Sequence, residues 1–467
     1  MMRAFLLIVL GVCLFGCTMI PAYNRPAPPV PAEWPTTGPA YKAIPDEGDR
    51  PAADIGWREF YLDERVQKVI DLALANNRDL RIAASNIERA RGLYRIQRSA
   101  LFPTVNATGG LTEQQIPAGV SQTGESYNSR QYFADVGTTA WEIDFFGRIR
   151  SLNESALQQY FATEQARRST QISLVAEVAN AYLARAADSE SLKLAQSTLE
   201  ARVATYNLVR HRFQAGVSSA LDLRQSETVL ESARTEVARF TRLVALDENA
   251  LNLLVGSAVP TELLANELST IKPPRDISIS LSSSVLLNRP DILQAEDLLK
   301  SANASIGAAR AAFFPRVTLT TSIGTISPDL SNLFKAGSGT WLFAPQIDLP
   351  IFDAGSRRAN LQVAKADRDI FLARYEKAIQ IAFREVSDAL AYRGTLGDQI
   401  TAQEAVVVAS DDTYRLSEAR YTKGIDSYLA VLDAQRSLYV AQQQLINLYT
   451  ARLNYLVTLY KVLGGGA

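Results

Sequence analysis

Between residues 316 and 323 the chain alternates. Val317, Leu319, Thr321 and Ile323 fall on one side, and Arg316, Thr318, Thr320 and Ser322 on the other. That is the two-residue period of a strand with one apolar and one polar face. Trp341, Phe343 and Ile347 continue the apolar side on the next segment, interrupted by Pro345. Residues 104–112 and 130–143 show a similar β-type composition around the polar stretch QQIPAGVSQTGESYNS. Elsewhere the composition turns helical. Asp63 to Ala100 is rich in Ala, Arg and Leu and predicts one helix, ended by Phe102-Pro103. Residues 151–213 and 356–421 contain no proline. Each predicts a helix of roughly 95 Å at 1.5 Å per residue. They stop near Gly216 and Gly424 and return as helices 219–255 and 427–463. Helices this long are rare in globular domains, and their frequent alanines suit close packing as coiled coils.

The pattern occurs twice. DLRIAASNIERARGLYRIQRSALFP (79–103) aligns without gaps on DILQAEDLLKSANASIGAARAAFFP (291–315). Asp79 meets Asp291, Ala83 meets Ala295, Arg98 meets Arg310, and Phe102-Pro103 meets Phe314-Pro315, all at one constant offset. Farther on, a slightly smaller offset carries Gly216 onto Gly424, Leu221 onto Leu429, Glu177-Val178 onto Glu385-Val386 and Gly256 onto Gly464. Such a long repeat reads as a duplicated domain. The expected organisation is a first repeat over 63–256, holding a helix, a hairpin at 102–145, a long helix and a return helix. A linker at 257–289 follows, then a second repeat over 290–464 with its hairpin at 315–352. The Pro/Ser/Leu mixture of 257–289, with 22–62, is expected to wrap the waist of the helical section as an equatorial domain.

Alone, the hairpins favour a half-buried soluble sheet over a barrel wall, and context reverses that. Aromatic clusters at both ends of the strands suit the two interfaces of a bilayer: Phe102, Phe313, Phe314, Trp141, Phe145, Phe146 and Phe352 at one, Tyr132, Trp341 and Phe343 at the other. Four strands cannot close a barrel, and an open edge in lipid costs several kcal/mol per unpaired backbone group. Other copies must complete it. Two would give eight strands with a filled interior; three would give twelve around an aqueous bore.

The N-terminus points to export. Arg3 precedes an apolar run from Ala4 to Phe15, and Gly16 precedes Cys17. That run is shorter than the ~20 residues of a membrane span and fits a signal peptide over 1–16. Leu14-Phe15-Gly16-Cys17 resembles a lipobox, which implies a diacylglycerol and an N-acyl chain, palmitate among them, on Cys17; an ordinary signal with a chance cysteine is the alternative. Thr18 resembles the residue of lipoproteins sent to the outer membrane. Cys13 leaves with the signal, so a mature chain has neither a disulfide framework nor a Cys-based metal site. Nine prolines from Pro21 to Pro51 predict an extended tether. Charge is balanced, with 48 Lys+Arg against 49 Asp+Glu, which argues against a nucleic-acid partner. The single histidine, His211, has no companions for catalysis or metal binding and reads as a solvated helix position. No P-loop or Ser-His-Asp set occurs, so no enzyme and no cofactor are expected. Arg289-Pro290-Asp291 reads as a helix start, with Pro290 in its first turn and Asp291 at the positive end of the dipole.

Together DIGWREFY (54–61), FFGRIRSL, NRPDILQAE (288–296), IGAARAAFFP (306–315), GIDSYLAVLDAQRSL (424–438) and the closing YKVLGGG resemble the TolC-type outer-membrane factors, most of all the OprM branch of multidrug efflux channels. The resemblance spans essentially the whole mature chain. It implies an α+β membrane protein and homotrimer: a twelve-stranded β-barrel with four strands per chain, a coiled-coil helical tunnel through the periplasm, and an equatorial domain. It implies as partners a periplasmic adaptor and an inner-membrane drug/proton antiporter of the resistance-nodulation-division class. The function implied is a passive gated duct in the Gram-negative outer membrane that exports drugs and other small toxic compounds. A channel for type I protein secretion and a non-conducting periplasm-spanning lipoprotein are the alternatives.

The resemblance also assigns a gate. Leu429 and Asp433 match the inner constriction, Arg436 a neighbouring basic position, and Asp222 an acidic position on the adjacent tip. Asp426 stands where some relatives carry a basic residue. Leu429 and Asp433 are one helical turn apart, so a threefold axis would make an apolar ring and a ring of carboxylates. The tips, with Gly216, Val217, Ser218, Gly424, Ile425 and Ser427, are the expected adaptor-docking surface.

Overall fold

The computed structural model describes residues 18–35, 37–41, 50–277 and 282–466. The signal peptide and Cys17 lie outside the described residues. Among those residues the elements run α1 (Glu64–Asn76), α2 (Arg78–Ser99), β1 (Asn106–Ile116), β2 (Tyr127–Ile143), α3 (Arg148–Gln214), α4 (Ala220–Val255), α5 (Pro290–Ala311), β3 (Arg316–Ser327), β4 (Gly339–Asp348), α6 (Ser356–Thr422) and α7 (Tyr428–Val462). The long helices α3 and α6 have 67 residues each. The described residues of 257–289 hold three short 3₁₀ turns, Thr261–Leu263, Leu268–Thr270 and Ser283–Asn288. The chain divides into two units. The first is Met1–Ala27, Asn86–Glu164 and Gln294–Tyr375; the second is Pro28–Ser85, Gln165–Leu293 and Glu376–Ala467.

The first unit carries the sheet, in the order β1-β2-β3-β4 and antiparallel throughout. Register confirms the alternation. Ala107 faces Val136, Val136 faces Ile323, and Ile323 faces Trp341, so one face is a row of apolar side chains. Ile323 is 71% and Trp341 76% exposed in the single chain. The row beside it, on the other face, is Thr108, Asp135, Gly324 and Thr340. The outer strands β1 and β4 are exposed almost throughout, and each has a partner on one side only. Strand β1 runs past the expected end at 112 to Ile116. Its polar end is held by cross-strand pairing, including a Glu113–Arg130 ion pair of 3.0 Å. A bulge between Thr138 and Trp141 places Ala140 at φ +52, and its N–H donates to Thr320 Oγ1 at 3.1 Å. Where β2 gives way to α3, the Glu142 carboxylate accepts from Arg148 Nε at 2.8 Å and Nη2 at 2.7 Å and pairs with Arg316 at 2.6 Å.

The segment that follows Cys17 is fastened along α5. Pro21 O accepts from Asn303 Nδ2 at 2.8 Å, and Arg25 and Tyr23 both donate to the buried carboxylate of Glu296. The expected tether is therefore docked over these residues.

In the second unit α3 buries Ile172, Val175, Val178, Ala179, Tyr182 and Ala186, at spacings of three and four. On α6 the same face is Ile379, Ala382, Val386 and Ala389. Phe60 stacks on Tyr460 with centroids 3.9 Å apart.

One expectation fails here. The helix of 63–100 is broken at Asn77, whose ψ is 134°. Its Oδ1 accepts the Leu80 N–H at 2.9 Å and so caps α2, and its Nδ2 donates to Leu254 O at 2.8 Å. An asparagine can satisfy the end of one helix and the start of the next, which overrides the helical composition around it. The same joint recurs in the second repeat at Arg289. Its Nη1 donates to Val462 O at 2.7 Å, and its guanidinium bridges Asp291, at 2.7 Å, and Glu385, at 3.1 Å. Leu254 and Val462 are themselves equivalent positions of the two repeats, so the duplication read in the sequence reappears as a duplicated joint. Pro290 and Asp291 do open α5, as expected.

Gly256 follows α4 at φ +77, and a Cβ there would lie 2.6 Å from Asn76 O. Gly256→Ala is expected to cost about 2–3 kcal/mol, from the left-handed backbone and the clash together. A lowered unfolding midpoint of the detergent-purified protein checks this.

Asp188 on α3 lies against Asp247 on α4. Burial comes first in raising Asp247, and the Asp188 charge adds to it. Asp188 is also raised by burial. An acid raised in the folded state binds protons more tightly folded than unfolded, so stability falls as pH rises from the ordinary aspartate value of about 4. Asp247→Asn is therefore expected to raise the unfolding midpoint at pH 7.5 and leave it nearly unchanged at pH 4.

Candidate functional site

The two long helices end alike. At the first tip the Val217 N–H donates to Arg212 O at 2.8 Å and the Gly216 N–H to Phe213 O at 3.0 Å. At the second, its counterpart in the repeat, Ile425 N–H donates to Arg420 O and Gly424 N–H to Tyr421 O, both at 2.9 Å. Gly216 and Gly424 share φ +73, the left-handed stop for which glycine is suited.

The return helices start differently. At Ser219 a capping box forms: Ser219 Oγ accepts the Asp222 N–H, and Asp222 Oδ2 accepts the Ser219 N–H, both at 3.1 Å. Ser218 donates to the same Asp222 oxygen at 3.0 Å. Burial works against ionisation of Asp222, but hydrogen bonds from Ser219 and Ser218 and the charge of Arg212 hold it below the usual range. At the second tip Ser427 is the N-cap without a side-chain bond, and Ala430 stands where the first tip has Asp222. There Asp426 takes both arms of Arg420, which hold its carboxyl below the usual range. The spacing Ser219-x-x-Asp222 makes the first cap legible in sequence. The Arg420–Asp426 pair had no such signal.

Beneath the tips lies a small core. Val209, Tyr428 and Val431 are buried, with Leu223, Tyr414, Tyr421 and Leu432 packed around them. Arg202, only 7% exposed, donates to Gln435 Oε1, and Gln435 Nε2 donates to Tyr414 Oη at 3.1 Å. Burial pulls the Arg202 guanidinium below its ordinary value. Sequence reading missed this pair, because Arg202 and Gln435 are brought together only by tertiary packing.

Leu429, Asp433 and Arg436 all stand on α7, and all three line one groove of about 490 Å³ shared with α3 and α4. Val229, Ala233 and Leu432 give that groove apolar walls. Leu429 is 60% exposed despite its size. Asp433 and Arg436 form an exposed ion pair at 2.5 Å. Asp222 stands apart from the groove lining, in its capping box. His211 lies exposed in the last turn of α3. Among the described residues no cluster suits a metal ion, and no helix is long and apolar enough to cross a membrane.

The family model described as outer membrane efflux protein matches residues 69–257 and 281–465, one match to each repeat. The chain belongs to that family. The toluene efflux pump outer membrane protein TtgC of Pseudomonas putida is 51% identical over 460 residues, covering 98% of this chain and 95% of that protein. The antibiotic efflux pump outer membrane protein ArpC of Pseudomonas putida shows the same identity and coverage. The solved open state of the Neisseria gonorrhoeae MtrE outer membrane channel superposes with a TM-score of 0.85 at 40% identity, over 96% of this chain and 98% of that one. The fold class is that of an outer-membrane efflux channel, in which four strands per chain build a twelve-stranded barrel continued by a helical tunnel. The protein is the outer-membrane component of an efflux pump, a duct rather than an enzyme. Its place is the Gram-negative outer membrane, from which it extends into the periplasm.

Proposed function

We propose that the chain forms a passive, gated duct for drugs and small apolar toxic compounds, supplied by a periplasmic adaptor and an inner-membrane antiporter of the resistance-nodulation-division class. The observation that carries this is the sheet. Its apolar row, Val136, Ile323 and Trp341, suits lipid, its polar row suits a water-filled bore, and both edges are unpaired. The cargo class follows the names of the relatives, one a toluene pump and one an antibiotic pump.

Leu429 and Asp433 form the constriction in this reading, with Arg436 holding Asp433 and Asp222 setting the adjacent tip. The glycine tips, with Val217, Ser218, Ile425 and Ser427, are the docking surface for the adaptor. Cys17 carries the lipid anchor, and the docking of residues 19–25 along α5 gives the chain behind that anchor a fixed path.

Deletion of the gene should raise susceptibility to dyes, detergents and antibiotics, and a plasmid copy should restore resistance. Unchanged susceptibility, with the partner pump expressed, would count against the proposal. Photo-crosslinkers at Val217 and Ile425 should capture the adaptor; capture from mid-helix positions alone would remove the docking assignment.

A further inference from the structure

The duplicated joint is not chemically symmetric. In the second half the Arg289 guanidinium sits between Asp291, Glu385 and the carbonyl of Val462. In the first half the matching acids are kept, Asp79 for Asp291 and Glu177 for Glu385, and Leu254 stands for Val462. The arginine is not kept: its place is taken by Asn77, which is shorter and neutral. Asn77 still reaches the carbonyl of Leu254. It leaves a cavity of about 220 Å³ lined by Asn77, Asp79, Glu177 and Leu254. Thr170 and Ser173 also line it, where the second half has Ala378 and Ile381. The wall is thus more polar in the half that lacks the arginine. Among the described residues neither Asp79 nor Glu177 has an ion pair or side-chain hydrogen bond. The neighbouring Arg78 turns its guanidinium to Asn76 O at 3.1 Å.

We infer that this cavity is a binding site for a small guanidinium-bearing cation, which takes between Asp79 and Glu177 the place that Arg289 takes between Asp291 and Glu385. Two carboxylates alone would not make a site. Here the equivalent positions of the second repeat, Asp291 and Glu385, hold a guanidinium within the same chain. A planar cation with fork geometry matches paired carboxylates better than a point charge does. Bound there, it would tie the α1–α2 joint to α3, as Arg289 ties the start of α5 to α6. The inference is independent of the gate and of the cargo.

Agmatine, which has a guanidinium and no carboxylate, is the test ligand. The thermal midpoint of the detergent-purified, full-length protein is followed against agmatine concentration. A saturable rise on the order of 2–4 °C is expected. Glu177→Gln and Asp79→Asn, both on exposed helix positions, should each abolish the rise. Asn77→Arg, where it folds, should abolish it by supplying the cation from the chain. Three results would overturn the inference: no rise, a rise matched by sodium chloride or putrescine at equal ionic strength, or an undiminished rise in Glu177→Gln. A neighbouring subunit's side chain filling the cavity would show as the first of these.

Discussion

Replacing Leu429 and Asp433 together by alanine should raise the resting conductance of the protein in planar bilayers, on the order of several-fold. Both residues stand on α7 one turn apart and project on the same side. A leucine left 60% exposed at the edge of an apolar groove is only partly covered by the chain it belongs to. Threefold repetition would cover the rest, and three leucines would close a ring narrow enough to shed water. Three Asp433 carboxylates one turn away would favour cations. The double variant removes both barriers. Tip packing should survive, because it rests on Val209, Tyr428 and Val431, which stay in place. The expected signature is thus raised conductance and reduced cation preference at an unchanged unfolding midpoint. Unchanged conductance would remove these two residues from the gate.

The largest stability effect is expected at Arg289. Its side chain is nearly enclosed and serves two carboxylates and one backbone carbonyl. Arg289→Ala leaves Asp291 and Glu385 close together without their shared cation, and strips the Val462 carbonyl of a donor. A loss of about 2–4 kcal/mol follows, toward the lower end because both acids keep some contact with water. Arg289→Lys should recover only part of it, since an ammonium cannot serve both acids and the carbonyl with fork geometry. Chemical denaturation of the detergent-purified variants would show the order wild type, Lys, Ala. Equal stability of Lys and wild type would mean that charge alone matters there.

Much of the fold was legible because it rests on period and repetition. The alternation from Val317 to Ile323 predicted which face each side chain takes, and the register bears it out. The proline-free stretches predicted two long helices, and the structure extends them only slightly. What escaped depends on partners far away in sequence. Asn77 breaks a helix because Leu254, far along the chain, offers a carbonyl to its amide. Strand β1 reaches Ile116 because Tyr127–Arg130 pair with its polar end. Arg289 reads locally as the residue before a helix; its work is done on Glu385 and Val462. At the tips, the Ser219–Asp222 cap could be read from spacing, whereas the Arg202–Gln435 contact could not. The expected gate positions came from resemblance, and the structure adds that three of the four line one groove while Asp222 serves as a cap.

The central claim is that β1 and β4 find their missing partners in two further copies of the same chain. Native mass spectrometry of the protein released from detergent micelles measures this directly. A single species of three chains is the predicted result; a stable species of one or two chains would contradict it.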